Sequence, residues 1–176
     1  MLNDHDHYII GVTGHRKLVS DCIPELIADI EAFFRSVVRK HESATVLSPL
    51  AEGADTLCAK LALDAGMRLV IPLPMNVLEY RKGFSGVAEV EFDCLLSLAD
   101  SVFVVQPEEP VPAAPQSGFY YRQAGIYIAT HCHTLLAVWD GIEKDTPDSA
   151  GTWETIKLAR GAGKPIHYVM IDNTVR

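Results

Sequence analysis

A glycine, an imidazole and two cations directly follow the first apolar segment of this sequence, Tyr8–Thr13. A glycine lets the backbone turn and lets N–H groups come close to a ligand. An arginine offers a planar fork of donors that suits a phosphate. We therefore predict that this turn cradles an anion. The predicted cradle residues are Thr13, Gly14, His15 and Arg16.

The stretch "SPLAEGAD" at 48–55 follows a second short apolar segment. Its small residues permit close packing or the approach of a ligand at the start of a helix. The predicted ligand-binding residues here are Ser48, Glu52, Gly53, Ala54 and Asp55. Two structural alternatives stay open. Asp55 could simply cap the helix, and Arg16 could pair with Glu52 or Asp55 and only close the edge of the fold.

Asp140 and Gly141 directly follow the apolar segment Thr134–Trp139, and the next helical pattern opens with "AGTWE". A helix N-terminus supplies free N–H donors and a favourable dipole for phosphate. The predicted ligand contacts of this region are Gly141, Gly151 and Thr152. Thr152 could instead be a helix cap, and Trp139 could stack on a base or serve as a core aromatic.

Two further histidines, His131 and His133, flank Cys132 in the short motif "HCH". In an extended chain both imidazoles would lie on one side, as in a metal pair, but the sequence offers no identifiable third ligand. We therefore predict no metal and no other cofactor.

Short apolar segments alternate with amphipathic ones along the whole chain, which favours a parallel sheet covered on both faces. We predict a three-layer, doubly wound α/β fold of Rossmann type with about six strands. The predicted strands are Tyr8–Thr13, Thr45–Leu47, Arg68–Leu73, Ser101–Val105, Thr134–Trp139 and Pro165–Ile171. The predicted helices are Pro24–Lys40, Ala54–Ala65, Val87–Ala99, Phe119–Thr130 and Thr152–Ala162. Ligands of such sheets bind beyond the carboxyl ends of the strands, so the polar motifs above should meet at one edge.

Length and composition indicate one domain over residues 1–176, with residues 1–7 as a mobile tail. The start of the chain is not a signal peptide, and no apolar run is long enough to span a bilayer, so we expect a cytoplasmic protein. The formal net charge of -8 opposes binding to duplex nucleic acid but leaves room for a few cations around one small anion. Neither GxGxxG nor GxxxxGK[ST] occurs, which disfavours a Rossmann dehydrogenase and a P-loop NTPase.

Five segments together resemble the SLOG superfamily, which includes LOG, Smf/DprA-like and YpsA-like proteins. They are "GVTGHR", "SPLAEGADTLCAKLALDAGMRLVIPLP", "YRQAG", "LLAVWDG" and "GTWETIKLARGAGKP". The resemblance runs through nearly the whole chain in order. It implies a Rossmann-like fold, a nucleotide or nucleotide-derived ligand, and a homodimer.

LOG enzymes cleave the N-glycosidic bond of nucleoside monophosphates, and the resemblance carries their arginine onto Arg122. Gly151 and Thr152 match the "GT" of the family motif PGGxGTxxE, but Thr155 occupies the position of its glutamate. Glu154 lies one residue early, about 100° away around a helix. An oxocarbenium-like transition state gains from a nearby carboxylate. The candidate catalytic residues are Arg122, Glu154 and Asp140; Asp140 could instead serve a turn or cap.

The first functional hypothesis is a SLOG-like domain that binds or senses a nucleotide or nucleotide-derived ligand. The alternative is an N-glycosidase, either a LOG-like phosphoribohydrolase or a deoxyribosyltransferase-like enzyme, acting on a nucleoside phosphate. A third hypothesis, single-stranded DNA binding as in Smf/DprA, is disfavoured by the acidic charge balance and by the lack of a basic, aromatic groove.

Overall fold

The structure is a computed structural model that describes residues 7–18, 23–145 and 150–172. Its strands are β1 (His7–Gly14), β2 (Ser43–Leu47), β3 (Arg68–Leu73), β4 (Ser101–Val104), β5 (Thr134–Trp139) and β6 (Ile166–Met170). Its helices are α1 (Ile23–Val38), α2 (Ala54–Asp64), α3 (Val77–Arg81), α4 (Val87–Leu98), α5 (Ser117–His131) and α6 (Thr152–Gly161). The predicted α/β class is confirmed.

All six described strands form one parallel sheet in the order β4-β3-β2-β1-β5-β6. The chain builds outward from β1 to β4 and then crosses back to place β5 on the other side of β1. The strand order therefore reverses between β1 and β5, where Gly14 pairs with Val138. In a doubly wound sheet this reversal opens a crevice at the carboxyl ends of the two strands.

Two apolar clusters hold helices on opposite faces of the sheet. The larger contains Ile10, Val12 and Leu136 together with side chains of α1, α2 and α4. The smaller joins Leu135 and Trp139 of β5 to residues of α5 and α6. Adjacent residues of β5 thus point into different clusters, as expected for a strand that is buried on both faces.

The described structure departs from the sequence-based expectations at three places. The five-residue helix α3 was not predicted. The helical period of Val87–Ala99 predicts Val90, Leu95 and Leu96 on the inward face, but Val90 is 68% exposed, because α4 buries Phe92 together with Leu95. His7, assigned to the mobile tail, is the first residue of β1, and its ring hydrogen-bonds Ser43; residues 1–6 of that tail lie outside the described residues.

None of the described helices is long and apolar enough to cross a lipid bilayer.

Candidate functional site

A hollow of about 550 Å³ lies at the carboxyl ends of β1 and β5, where the strand order reverses. The turn after β1 forms one side of it and the first turn of α6 forms another. One face of α5 and the loop after β5 complete the wall. The polar, charged and loop residues of the wall include Thr13, Gly14, His15, Arg16, Lys17, Asp55, Tyr121, Ile142, Lys144, Gly151, Thr152, Trp153 and Glu154.

Eight of the predicted site residues lie on this wall. They are Thr13, Gly14, His15, Arg16, Asp55, Gly151, Thr152 and Glu154. Segments far apart in the chain therefore meet at one place, as the strand pattern led us to expect. Their role in binding or catalysis stays a prediction.

The turn after β1 is held tightly against the sheet and against the start of α2. The backbone N–H of His15 donates to the Val138 carbonyl at 3.2 Å, and the N–H of Ala54 donates to the His15 carbonyl at 3.1 Å. A side chain on Gly14 would bring its Cβ within 2.4 Å of the Ala54 Cβ. Gly14 therefore permits this close contact between the two segments.

The other predicted residues of the 48–55 stretch do not line the hollow. Gly53 has φ +94° and faces the backbone of Arg16, where a Cβ would meet the Arg16 carbonyl oxygen at 2.3 Å. The Ala54 N–H is already used by His15, and the Ser48 hydroxyl, fully buried, donates to the Asp55 carbonyl at 3.0 Å. Glu52 is exposed. Ser48, Gly53 and Ala54 therefore hold two loops together. Glycines, with no side-chain hydrogen bond, occupy the N-cap positions of both α2 and α6.

The imidazole of His15 reaches across the junction to Asp140, with its Nε2 3.1 Å from a carboxylate oxygen. Asp140 lies behind this ring rather than on the wall, and it also accepts a hydrogen bond from the Ile142 N–H at 3.0 Å. Gly141 is exposed and away from the wall. Asp140 thus makes the turn contact that was its alternative role and also orients His15, while its catalytic role stays a prediction.

Arg16 is exposed, and its guanidinium lies over the Tyr121 ring at 5.3 Å from the ring centre. Among the described residues, no ion pair joins it to Glu52 or Asp55, the alternative considered above. Lys17 and Lys144 add two more cationic side chains to the wall. Three cations thus outnumber the two carboxyl groups of the wall, those of Asp55 and Glu154, in a protein whose formal net charge is -8.

Arg122 lies behind the wall and pairs with Glu154, which is on it. Glu154 also pairs with Lys157 at 2.8 Å, and Arg122 pairs with Glu109 at 3.1 Å. Burial alone would raise the pKa of Glu154, but hydrogen bonds from Lys157 and Arg122 lower it below its usual range. Glu154 is therefore an ionised carboxylate held by two cations.

The aromatic side chains of the wall are packed against other groups on their faces. Trp139 is 6% exposed and stacks on Trp153, with ring centres 5.5 Å apart, and its ring also contacts Tyr168. Trp153 in turn carries Arg160 over its ring and donates its indole N–H to Asp145 at 3.1 Å. Trp139 is thus a core aromatic whose edge reaches the hollow.

Sequence reasoning missed several residues of the wall. Lys17 directly follows the predicted cradle and could have been included with it. Tyr121 precedes Arg122 in "YRQAG" and was within reach of the same argument. Trp153 lies in the first turn of α6 between Thr152 and Glu154 and could have been included with them. Lys144 carried no signal, because its position depends on how the loop after β5 folds back.

The two histidines of the "HCH" motif lie at the opposite end of β5 from the hollow. His133 accepts a hydrogen bond from the Ile9 N–H at 2.9 Å, and His131 stacks on Tyr127. No group of three potential metal ligands occurs among the described residues.

The architecture of this chain also occurs in solved structures of other proteins. DNA processing protein A (DprA) from Streptococcus pneumoniae superposes with a TM-score of 0.61 at 16% identity, over 96% of this chain and 52% of that one. DprA from Helicobacter pylori, described by its single-stranded DNA binding mode, gives 0.59 at 12% identity, over 96% and 68%. The molybdenum cofactor carrier protein from Chlamydomonas reinhardtii gives 0.51 at 18% identity, over 92% and 76%.

This chain has the fold of these proteins. The Rossmann-like fold that the SLOG resemblance implies is thereby confirmed. The chain spans about half the length of the S. pneumoniae protein, 52% of it. The sequence matches no protein-family model, and no curated protein matches it significantly.

Proposed function

We propose that the hollow binds a nucleotide or nucleotide-derived ligand and that the chain is a cytoplasmic binding or sensing module for it. One observation carries the proposal. At the reversal of strand order, three cationic side chains (Arg16, Lys17 and Lys144) share a hollow with the start of helix α6. The first-turn N–H groups of a helix lack intrahelical acceptors, and the helix dipole favours an anion there.

The remainder of the wall suits the less polar part of such a ligand. Ala124, Gly125 and Ile128 of α5 line the hollow together with Val12 and the edge of Trp139. The volume of about 550 Å³ falls within the range of small-molecule sites. A sugar and base can therefore occupy the apolar side while a phosphate contacts the cations.

Binding without cleavage is supported by the contacts of the two candidate catalytic carboxylates, Glu154 and Asp140. Glu154 is held by Arg122 and Lys157, and Asp140 is engaged by His15 and the Ile142 N–H. A catalytic carboxylate must be free to reach the anomeric carbon or its attacking water. Neither of these two is free in the described structure.

The second candidate is the N-glycosidase, acting on a nucleoside phosphate. It is favoured by one observation, since Glu154 lies on the wall of the hollow and is ionised, with Arg122 beside it. A ligand that drew Arg122 toward its phosphate would release the Glu154 carboxylate.

Binding is tested by calorimetry with AMP and with ADP-ribose. We expect Arg16→Ala to weaken binding roughly tenfold or more, because a hydrogen bond to a charged group is lost. Lys40→Ala is the matched control, since it removes an exposed cation after α1, far from the hollow, and should leave affinity unchanged. Equal affinities of the two variants, or no binding of either probe, would contradict the proposal.

Chromatography of the same mixtures separates binding from cleavage. Release of free base that disappears in Arg122→Ala would establish the glycosidase in place of the binding module. Retention on single-stranded DNA that falls steeply with salt would favour a function like that named for H. pylori DprA.

We also propose that the chain forms a homodimer, through an apolar stripe on α4. Val87, Val90 and Leu98 lie on one side of this helix and are 76%, 68% and 56% exposed. Exposed apolar patches of this kind mark interaction surfaces. A second copy of the chain is the occupant that the resemblance suggests.

A further inference from the structure

Asp55 is a buried carboxylic acid on the wall of the hollow. It lies in the first turn of α2 and is 5% exposed. Its Oδ1 is buried, and no hydrogen-bond donor contacts that atom within the described part of the chain. A buried carboxylate oxygen without a partner costs free energy, so its presence at a binding hollow calls for a functional reason.

The groups around Asp55 favour its neutral form. Burial raises the pKa of Asp55 to about 7, while a hydrogen bond from the Ala51 backbone and the charge of Arg16 lower it. Cys58 on the same helix and Tyr80 on α3 are the other titratable groups that interact with it, and the pKa of each is raised by burial and by Asp55. Arg16 is thus the cation that favours the ionised carboxylate.

Asp55 and the predicted anion cradle belong to one tightly packed junction. The Ala54 N–H donates to the His15 carbonyl at 3.1 Å, and Gly53 packs against the Arg16 backbone. On the other side, Ser48 holds the Asp55 carbonyl at 3.0 Å. The backbone that carries Asp55 is therefore fixed against the cradle.

We propose that the hollow binds its anionic ligand together with one proton, which is taken up by Asp55. This inference rests on the proposed function and names how binding at that site is regulated. An anion beside Arg16 neutralises the cation that favours the ionised carboxylate, and it adds a negative charge close to Asp55. Both effects favour the protonated acid, and the coupling between ligand and proton is reciprocal.

The coupling predicts a definite pH profile. Asp55 is largely protonated below pH 7 in the free protein, so affinity should be nearly constant there. Above that pH each binding event must recruit a proton, and affinity should fall, by about tenfold between pH 6 and pH 8. His15 is another titratable side chain on the wall of the hollow, so it needs its own variant.

The test is calorimetry with ADP-ribose and with inorganic sulfate, neither of which changes charge between pH 6 and pH 8. Titrations in two buffers of different ionisation enthalpy count the protons taken up per ligand. We expect an uptake close to one proton at pH 8. Asp55→Asn should abolish the uptake and the pH dependence, because an amide cannot ionise, whereas His15→Gln should retain both.

A measurement on the unsubstituted protein gives a second criterion that does not need the variant to fold. The carboxyl carbon of Asp55 can be followed by nuclear magnetic resonance through a pH titration. We expect its midpoint to rise by about two pH units or more when ADP-ribose is bound. An unchanged midpoint, or proton uptake that persists in Asp55→Asn, would overturn this inference alone. Failure of both probes to bind would overturn the proposed function and this inference with it.

Discussion

Gly14 lies where β1, β5 and the start of α2 meet. A Cβ at this position would lie 2.4 Å from the Ala54 Cβ and 2.9 Å from the Val138 Cβ, and neither of these atoms is the end of a flexible chain. We expect Gly14→Ala to lower the free energy of unfolding by about 1–3 kcal/mol, as overpacking does in a well-packed interior. Chemical denaturation monitored by circular dichroism measures the change.

Gly161 provides the control for this substitution. It ends α6, and a Cβ there would meet nothing within 4 Å. Gly161→Ala should therefore raise the free energy of unfolding by roughly 0.5 kcal/mol through the better helix propensity of alanine. Equal effects of the two substitutions would show that backbone entropy, and not the contact of Gly14 with Ala54, determines the result.

The site was predictable to the extent that its residues directly follow a strand. Gly14, His15 and Arg16 were found in this way, because the carboxyl ends of parallel strands meet at one edge. Gly53 was assigned to the ligand but packs against the backbone of Arg16. Nothing in the sequence shows that these two loops touch each other, since the contact depends on tertiary packing.

At the scale of elements, the proline-rich segment between β4 and α5 is held to α5 by Gln123. The Gln123 side chain is 2% exposed, and its Oε1 accepts hydrogen bonds from the Glu108 N–H at 2.8 Å and the Glu109 N–H at 3.3 Å. Its Nε2 donates to the Glu109 carboxylate at 2.7 Å, and Arg122 pairs with the same carboxylate.

Gln123→Leu keeps most of the side-chain volume but leaves these two backbone N–H groups without their acceptor. We expect a loss of about 1–3 kcal/mol in the free energy of unfolding. We also expect faster amide hydrogen exchange at residues 106–116, because their attachment to α5 is weakened. Mass spectrometry of peptic fragments measures the exchange.

Gln116→Leu is the matched control for the loop. Gln116 is exposed at the start of α5 and makes no side-chain cap hydrogen bond. Its replacement should leave both stability and exchange nearly unchanged. Unaltered exchange in Gln123→Leu would mean that the ion pair of Arg122 with Glu109 suffices to hold the segment.

The elements themselves were largely predictable from hydrophobic periodicity. The strands β3 and β5 have the predicted bounds. Each is a short, continuous apolar run between polar turns, which is typical of a strand buried on both faces. The helix α3 was missed since five residues are too short to show a helical period. In α4 the register of the buried face was mistaken at Val90, because several apolar side chains compete for the core and packing against neighbouring helices decides between them.

At the scale of the whole molecule, the chain has a negative net charge, whereas cations outnumber carboxyl groups on the wall of the hollow. A formal charge of -8 repels anions at long range, whereas Arg16, Lys17 and Lys144 attract them at short range. Salt screens exposed charges over about 8–10 Å. The same acidic balance discourages a long phosphate-tracking surface and favours a small, enclosed anion.

The acidic residues that flank the apolar stripe of α4 do not oppose the homodimer that we propose, because their charges are paired. The three acidic residues of this helix are each paired with a cation from a neighbouring helix: Glu89 and Asp93 with Arg81, and Glu91 with Lys60. Two copies can therefore approach through the stripe without placing unpaired carboxylates against each other.

Val90 lies within this stripe and is 68% exposed, so Val90→Asp should not disturb the folded chain but should oppose association. We expect light scattering after size-exclusion chromatography to give twice the chain mass for the unsubstituted protein and the single-chain mass for Val90→Asp. Leu78→Asp places the same charge on a residue of α3 that is 77% exposed and lies outside the stripe, and it should leave the dimer intact.

A monomeric unsubstituted protein would refute the homodimer. A dimer that survives Val90→Asp would place its interface elsewhere, because an aspartate at the centre of an apolar contact would be buried without a partner.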